Sequence, residues 1–125
     1  MKRSLMLVLA FLLGGAVTAL TQTAPKSKDA VAVDPTHHHV ILDNARVRVF
    51  EVMADPGAKS PMHTHPPITV ISLGTARLRM TGPDGKSSIL DLHPAQVLWL
   101  ENVEHSWELL SGRLHVVAVE PKAAR

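Results

Sequence analysis

Past residue 36 the chain never sustains a helical period for longer than a turn or two, and no other feature narrows its fold so far. Apolar and polar residues alternate instead, as in Arg46-Val-Arg-Val-Phe-Glu-Val-Met53 and Thr75-Ala-Arg-Leu-Arg-Met-Thr81. In the second run Ala76, Leu78 and Met80 face one way and Arg77 and Arg79 the other, because successive strand residues point to opposite faces. Turn residues interrupt these runs at intervals of about eight to twelve residues. They are Asp43-Asn44, Asp55-Pro-Gly57, Gly82-Pro-Asp-Gly85, His93-Pro-Ala-Gln96 and Ser111-Gly112. Gly82–Gly85 has the residues that a hairpin turn with positive φ requires. About eight short strands so punctuated predict an all-β sandwich or small barrel over residues 37–121.

Upstream of that domain the pattern changes. Met1-Lys2-Arg3 is basic, Leu5 to Leu13 is apolar, and Gly14 to Ala19 are small or short. That layout predicts a helical secretory signal peptide over residues 1–19, with Val17-Thr18-Ala19 as the cleavage triplet. The apolar stretch falls slightly short of the ~18–20 residues of a spanning helix, and an uncleaved anchor is the alternative reading. No cysteine follows it, which excludes a lipid-modified terminus. The expectation is an exported protein, periplasmic or secreted, without stable membrane insertion once the signal is removed. Residues 20–36 are small, polar and charged and predict a flexible spacer. The formal charge of +2 is accounted for by Lys2 and Arg3, so the remainder is close to neutral. With scattered Lys and Arg, no basic stripe and few aromatics, nucleic acid is excluded as a partner. Without cysteine there is no disulfide, and stability must come from a Val/Leu/Ile core.

All eight histidines lie after residue 36. His63 and His65, in Gly57-Ala-Lys-Ser-Pro-Met-His-Thr-His-Pro-Pro67, project to one face of an extended strand and form half of a metal site. Pro61, Pro66 and Pro67 stiffen that segment. His105 opens a later strand after a second turn, with Trp107 facing the same way, and a closed barrel would bring the three imidazoles together. His37, His38 and His39 read either as solvated residues at the domain edge or as an auxiliary copper- or zinc-scavenging tract. His93 reads as an exposed turn residue, and His115 is open to either face of the last strand. Trp99 and Trp107 read as core or cavity wall. Arg46, Arg48, Arg77 and Arg79 read as solvent faces of strands, with an inward arginine contacting an anionic substrate as the alternative.

On these residues the sequence resembles the cupins. Their first motif runs Gly, five residues, His-x-His, three or four residues, Glu, and Gly57, His63 and His65 match it. Thr69 stands where the glutamate belongs. Of the second motif only His105 matches, with Ala95 in place of its first glycine. The resemblance spans residues 39–120 and is closest to small single-domain cupins without the motif glutamate. It implies a jelly-roll β-barrel and a divalent metal, Zn, Fe, Mn, Ni or Cu, held by His63, His65 and His105. Thr69, Trp99, Glu104 and Trp107 are then candidates for the surroundings of the metal or for the ligand pocket, and Glu101 and Gln96 are near enough in sequence to supply an oxygen ligand. A site of neutral imidazoles leaves the metal its full double charge, which acidifies bound water and attracts anions.

No cysteine, Gly-x-Ser-x-Gly elbow or Gly-rich phosphate loop supports nucleophilic catalysis or nucleotide binding. Two functions stay open at this point. One is a metal-dependent enzyme of oxygenase or isomerase type acting on a small organic molecule. The other is a non-catalytic envelope protein that binds or sequesters metal or a small ligand. An open sheet edge would also let the barrel pair with a second copy of itself.

Overall fold

The computed structural model describes residues 28–123. The alternating segments form nine strands: β1 (His38–Asp43), β2 (Val47–Ala54), β3 (Lys59–His65), β4 (Ile68–Ser72), β5 (Ala76–Thr81), β6 (Ser87–Leu92), β7 (Val97–Leu100), β8 (Val103–Gly112) and β9 (Leu114–Pro121). They pair antiparallel in a five-stranded sheet of order β1-β2-β9-β4-β7 and a four-stranded sheet of order β3-β8-β5-β6. Two sheets whose inner faces share one core make the all-β sandwich that the alternation predicts, in the jelly-roll form that the resemblance implies.

The core follows from the period of two. Along β2, Phe50, Val52 and Ala54 are buried, and along the neighbouring β9 their register partners Ala118, Val116 and Leu114 are buried on the same face of the sheet. Leu78 and Leu92 from the other sheet, with Trp107 and Leu109 on β8, complete it. Each large side chain so buried contributes about 1.5–3 kcal/mol of hydrophobic stabilisation.

Turns close where the residues demand. Gly57, Gly85 and Gly112 have φ of 90°, 79° and 76°. At Gly112 a Cβ would also lie 2.2 Å from the Thr75 carbonyl oxygen, so no other residue fits between β8 and β9. Ala95 is the informative exception, a non-glycine residue at φ 67° in the turn before β7. This is the slot where the cupin motif has glycine, and the backbone keeps the glycine conformation although the side chain has changed.

Three expectations are corrected here. The spacer assigned to residues 20–36 is, from Lys28 onward, part of the folded unit. Asp29 caps the short helix α1 (Ala30–Val33), Ala30 is fully buried, and the Lys28 carbonyl accepts a 2.7 Å hydrogen bond from the Thr64 amide beside β3. Composition suggested a linker because these residues are small and polar, yet the segment is anchored through its backbone and its two aspartates. The first strand starts at His38, inside the tract that reads as a solvated domain edge or a scavenging site. Arg48 is not on a solvent face. It shares the inner pleat of β2 with Phe50, and its guanidinium lies 5.6 Å from that ring. The segment expected to be a signal peptide lies outside the described residues, among which no helix is long and apolar enough to cross a membrane.

Candidate metal centre

Strand register assembles the histidines. In the β3–β8 ladder His63 pairs directly with His105, Thr64 with Glu104 and His65 with Val103. Alternation therefore sends His63, His65 and His105 to the inside of the barrel and Thr64 and Glu104 to the outside. A register shift between Ser60 and His63, at Pro61, offsets the strand just before the pair. The ring centroids of His63 lie 4.8 Å from those of both His65 and His105, and His65 and His105 are 5.2 Å apart.

A fourth imidazole comes from the opposite sheet. His38 on β1 pairs with Val52, whose side chain is in the core, so it points inward as well. Its ring lies 5.1 Å from His63 and 6.3 Å from His65. His38, His63 and His65 each offer a nitrogen within 4.8 Å of the others, and all three are buried, so this group can hold a metal ion. In sequence His38 reads only as part of a tract that is solvated or an auxiliary copper- or zinc-scavenging site, apart from His63, His65 and His105. Nothing in His37-His38-His39 says which of three consecutive histidines turns inward, although strict alternation from the buried β2 partner would have selected the middle one. His39, opposite Glu51, is exposed. His37 hydrogen-bonds the Asp34 carboxylate through Nδ1 at 2.9 Å.

The second nitrogens of the rings are held from behind. His38 Nδ1 donates to the Asp34 carbonyl at 3.0 Å, and His63 Nδ1 donates to the Pro61 carbonyl at 2.7 Å. Donation from Nδ1 leaves Nε2 of each ring as a free lone pair. His65 Nδ1 lies 3.5 Å from Glu120 Oε1 on β9, a carboxylate whose other oxygen accepts from Arg48 Nε at 2.7 Å. Arg48 is also bidentate to Asp29, at 2.5 and 3.1 Å. Among the described residues, the buried polar side-chain atoms without a hydrogen-bond partner are His63 Nε2, His65 Nδ1 and Glu120 Oε1. All three belong to this centre. Leaving such an atom unpaired costs about 1–3 kcal/mol; a cation on His63 Nε2 would relieve that atom, while His65 Nδ1 and Glu120 Oε1 face each other at 3.5 Å.

The electrostatics favour neutral rings. Burial lowers His63, against the hydrogen bond to Pro61, and lowers His105; with the neighbouring imidazoles adding to it, since several cannot be charged together, the two stand at about 4 and about 3. Burial also lowers His38, against the opposing pull of Asp34. For Asp34, burial acts to raise the pKa, but Ser60, His37 and His38 outweigh it and hold the carboxylate ionised. Neutral imidazoles at ordinary pH are the form that ligates metal.

Other expected site residues fall elsewhere. Thr69 pairs with Trp99 and Val119 on the outer pleat of β4, while its neighbour Val70 lines the interior. With the motif's interval taken as four residues, the glutamate slot is Val70, and no hydroxyl faces the metal from there. Trp99 is 52% exposed and donates to Glu101, so it is not cavity wall. Glu104 pairs with Lys28 at 3.0 Å outside the barrel. Trp107 is buried beside the centre, edge-on to His37 at 5.3 Å. His115 faces outward, 3.3 Å from Glu51.

In front of the histidines lies a cavity of about 70 Å³, measured as the space open to the centre of a water molecule. Its polar side-chain groups are the imidazoles of His38, His65 and His105 and the indole N–H of Trp107, and the rest of its lining is apolar.

No protein-family model matches the sequence, and no curated protein is detectably similar to it. Solved structures are similar. A cupin domain from Bordetella pertussis is 29% identical, with a TM-score of 0.62 over 69% of this chain and 92% of that one. An RmlC-like cupin family protein with a double-stranded β-helix fold from Methanocaldococcus jannaschii is 13% identical, with a TM-score of 0.56 over 86% of this chain and 93% of that one. A polyketide cyclase from Streptomyces resistomycificus is 17% identical, with a TM-score of 0.51 over 67% of this chain and 63% of that one.

Proposed function

The chain is a cupin by fold, and on that premise we propose that it binds one divalent metal ion through His38, His63, His65 and His105 and presents that ion to a small organic molecule in the barrel cavity. The observation that carries this reading is His63 Nε2, a fully buried nitrogen with no partner, tethered through Nδ1 and facing the other imidazoles. Three neutral rings from one sheet and one from the other suit zinc, iron, nickel, copper or manganese. When bound, such an ion supplies Lewis acidity to a ligand oxygen or water. The chain's own part is to orient the rings through Asp34, Pro61 and Glu120, and to exclude bulk water with the apolar wall.

The enzyme reading is a metal-dependent oxygenase- or isomerase-type reaction on a small organic molecule. The cavity lining supports a second reading, a carrier that binds metal and ligand without turnover, because among the described residues no acid–base group other than imidazole faces the ligand. A sequestering histidine tract is less well supported, since His37, His38 and His39 point to three different environments. The basic, apolar and small residues of 1–19 support export, which protease accessibility and N-terminal sequencing of the mature protein would test.

Metal analysis tests the shared premise. The purified protein is expected to carry about one equivalent of metal, and His63→Ala, His65→Ala, His105→Ala and His38→Ala to lose most of it. Equal retention in all four variants would sink the proposal, and several equivalents lost only on deleting residues 37–39 would favour sequestration.

A further inference from the structure

The cavity wall restricts what can reach the histidines, and the restriction, which rests on the metal reading above, points to a class of ligand. Leu78, Met80, Leu90, Leu98 and Leu100, with Val70 nearest the motif strand, form a surface without a hydrogen-bonding side chain. The one arginine on the inner pleat of β2, Arg48, is engaged by Asp29 and Glu120 and is not part of the lining. A ligand here can make polar contact only through the histidines, the indole N–H of Trp107 beside them, and whatever ion the histidines hold. Every other part of it meets hydrocarbon.

We infer that the ligand is a compact aliphatic molecule with a single oxygen-donor head group that meets the metal, and that polyhydroxylated molecules are rejected. Each methylene seated against the wall tightens binding about fourfold, the equivalent of ~0.8 kcal/mol. A hydroxyl in the same place gives up its water without finding a partner, and binding weakens at least tenfold, to order of magnitude. Size sets the other bound. An apolar cavity that accepts benzene measures about 150 Å³, so a cavity of about 70 Å³ has room for a chain of only about three or four carbons.

The probes are straight-chain hydroxamates from acetohydroxamate to octanohydroxamate, together with 4-hydroxybutyrohydroxamate, titrated calorimetrically into the metal-loaded protein. Metal content is measured on the same samples before and after. Affinity is expected to climb about fourfold per methylene to about four carbons and then fall, with the 4-hydroxy compound at least tenfold weaker than butyrohydroxamate. Leu98→Asn, on edge strand β7, is expected to flatten the series and shrink the hydroxyl penalty with metal still bound. Affinity independent of chain length, or equal binding of the hydroxylated probe, with about one equivalent of metal in place, overturns the inference and leaves the metal reading standing. Protein that holds no metal overturns both, and the metal analysis distinguishes the two failures.

Discussion

Replacing Glu120 by Gln separates an orienting role at the metal centre from a structural one. Glu120 is 3% exposed; its Oε2 accepts from Arg48, and its Oε1 and His65 Nδ1 are unpaired atoms 3.5 Å apart. A small approach lets Nδ1–H donate to the carboxylate, which fixes the His65 tautomer with Nε2 free for a metal. Glutamine keeps the shape but has one oxygen and one NH2. Arg48 carries only donors and requires the amide oxygen, so the NH2 group is left facing His65 Nδ1. That reverses the hydrogen bond and favours the tautomer with a proton on Nε2, which cannot ligate. Loss of such an outer carboxylate typically costs 10–100-fold in metal affinity, or ~1.4–2.7 kcal/mol at 1.36 kcal/mol per decade. Competition with a chromogenic chelator measures the affinity, and urea unfolding of the metal-free protein measures the structural part. A metal Kd within about twofold of wild type, with only the urea midpoint lowered, would refute the argument and reduce Glu120 to a partner of Arg48.

In the metal-free protein, stability should fall with acidification in a definite window. His63 and His105 titrate near 4 and 3 in the folded chain against 6.5 unfolded, so the unfolded state binds protons first. Their contribution is complete above pH 6.5 and is lost as pH falls toward 3, with an upper bound of several kcal/mol at ~1.4 kcal/mol per pKa unit. A urea midpoint that stays flat between pH 7 and 4 would contradict it. Ala95→Gly relieves a left-handed alanine at φ 67° and should stabilise the fold by about 1 kcal/mol, raising the thermal midpoint by several degrees; an unchanged or lowered midpoint would count against the strain. Val70→Glu places a carboxylate on the interior wall at the motif position. The metal-free protein should lose stability from the buried acid, and added metal should raise the melting temperature more than it does for wild type. A metal-induced shift no larger than that of wild type would show that position 70 does not reach the ion.

The strands and turns were legible because a period of two and the Gly, Pro and Asn turn residues act locally. The meeting of His63, His65 and His105 on β3 and β8 was legible for the same reason: His63 and His65 are two apart on one strand, and His105, the one match to the second motif, opens a later strand after a turn. The rest depends on pairing between distant strands. His38 becomes a site residue only once β1 is set against β2 in the register His38–Val52, and Glu120 only once β9 runs beside β2 with Glu120 opposite Arg48. The Thr69 error has a local cause. The motif allows an interval of three or four residues, and a shift of one residue in a strand exchanges inside for outside, so Val70 took the inward place. Residues 28–34 were misread because composition reports solubility and says nothing of an aspartate that pairs with a half-buried arginine.

The proposed centre has carboxylates behind its rings rather than at the motif position, where Val70 stands. Glu120 Oε1 lies 3.5 Å from His65 Nδ1, and Asp34 Oδ2 lies 3.4 Å from His38 Nδ1, which donates to the Asp34 carbonyl. A carboxylate in direct contact would cancel one unit of the ion's charge, whereas one behind an imidazole raises the basicity of that ligand and leaves most of the charge facing the cavity. Arg48 and Asp29 then hold Glu120 in place, and Asp29 and Asp34 flank helix α1. The segment just before the barrel thereby becomes part of the metal centre's support. An ion held this way, before a largely apolar wall, would bind an anionic oxygen head group more strongly than a site with a carboxylate ligand could, because the low local dielectric leaves that attraction weakly screened.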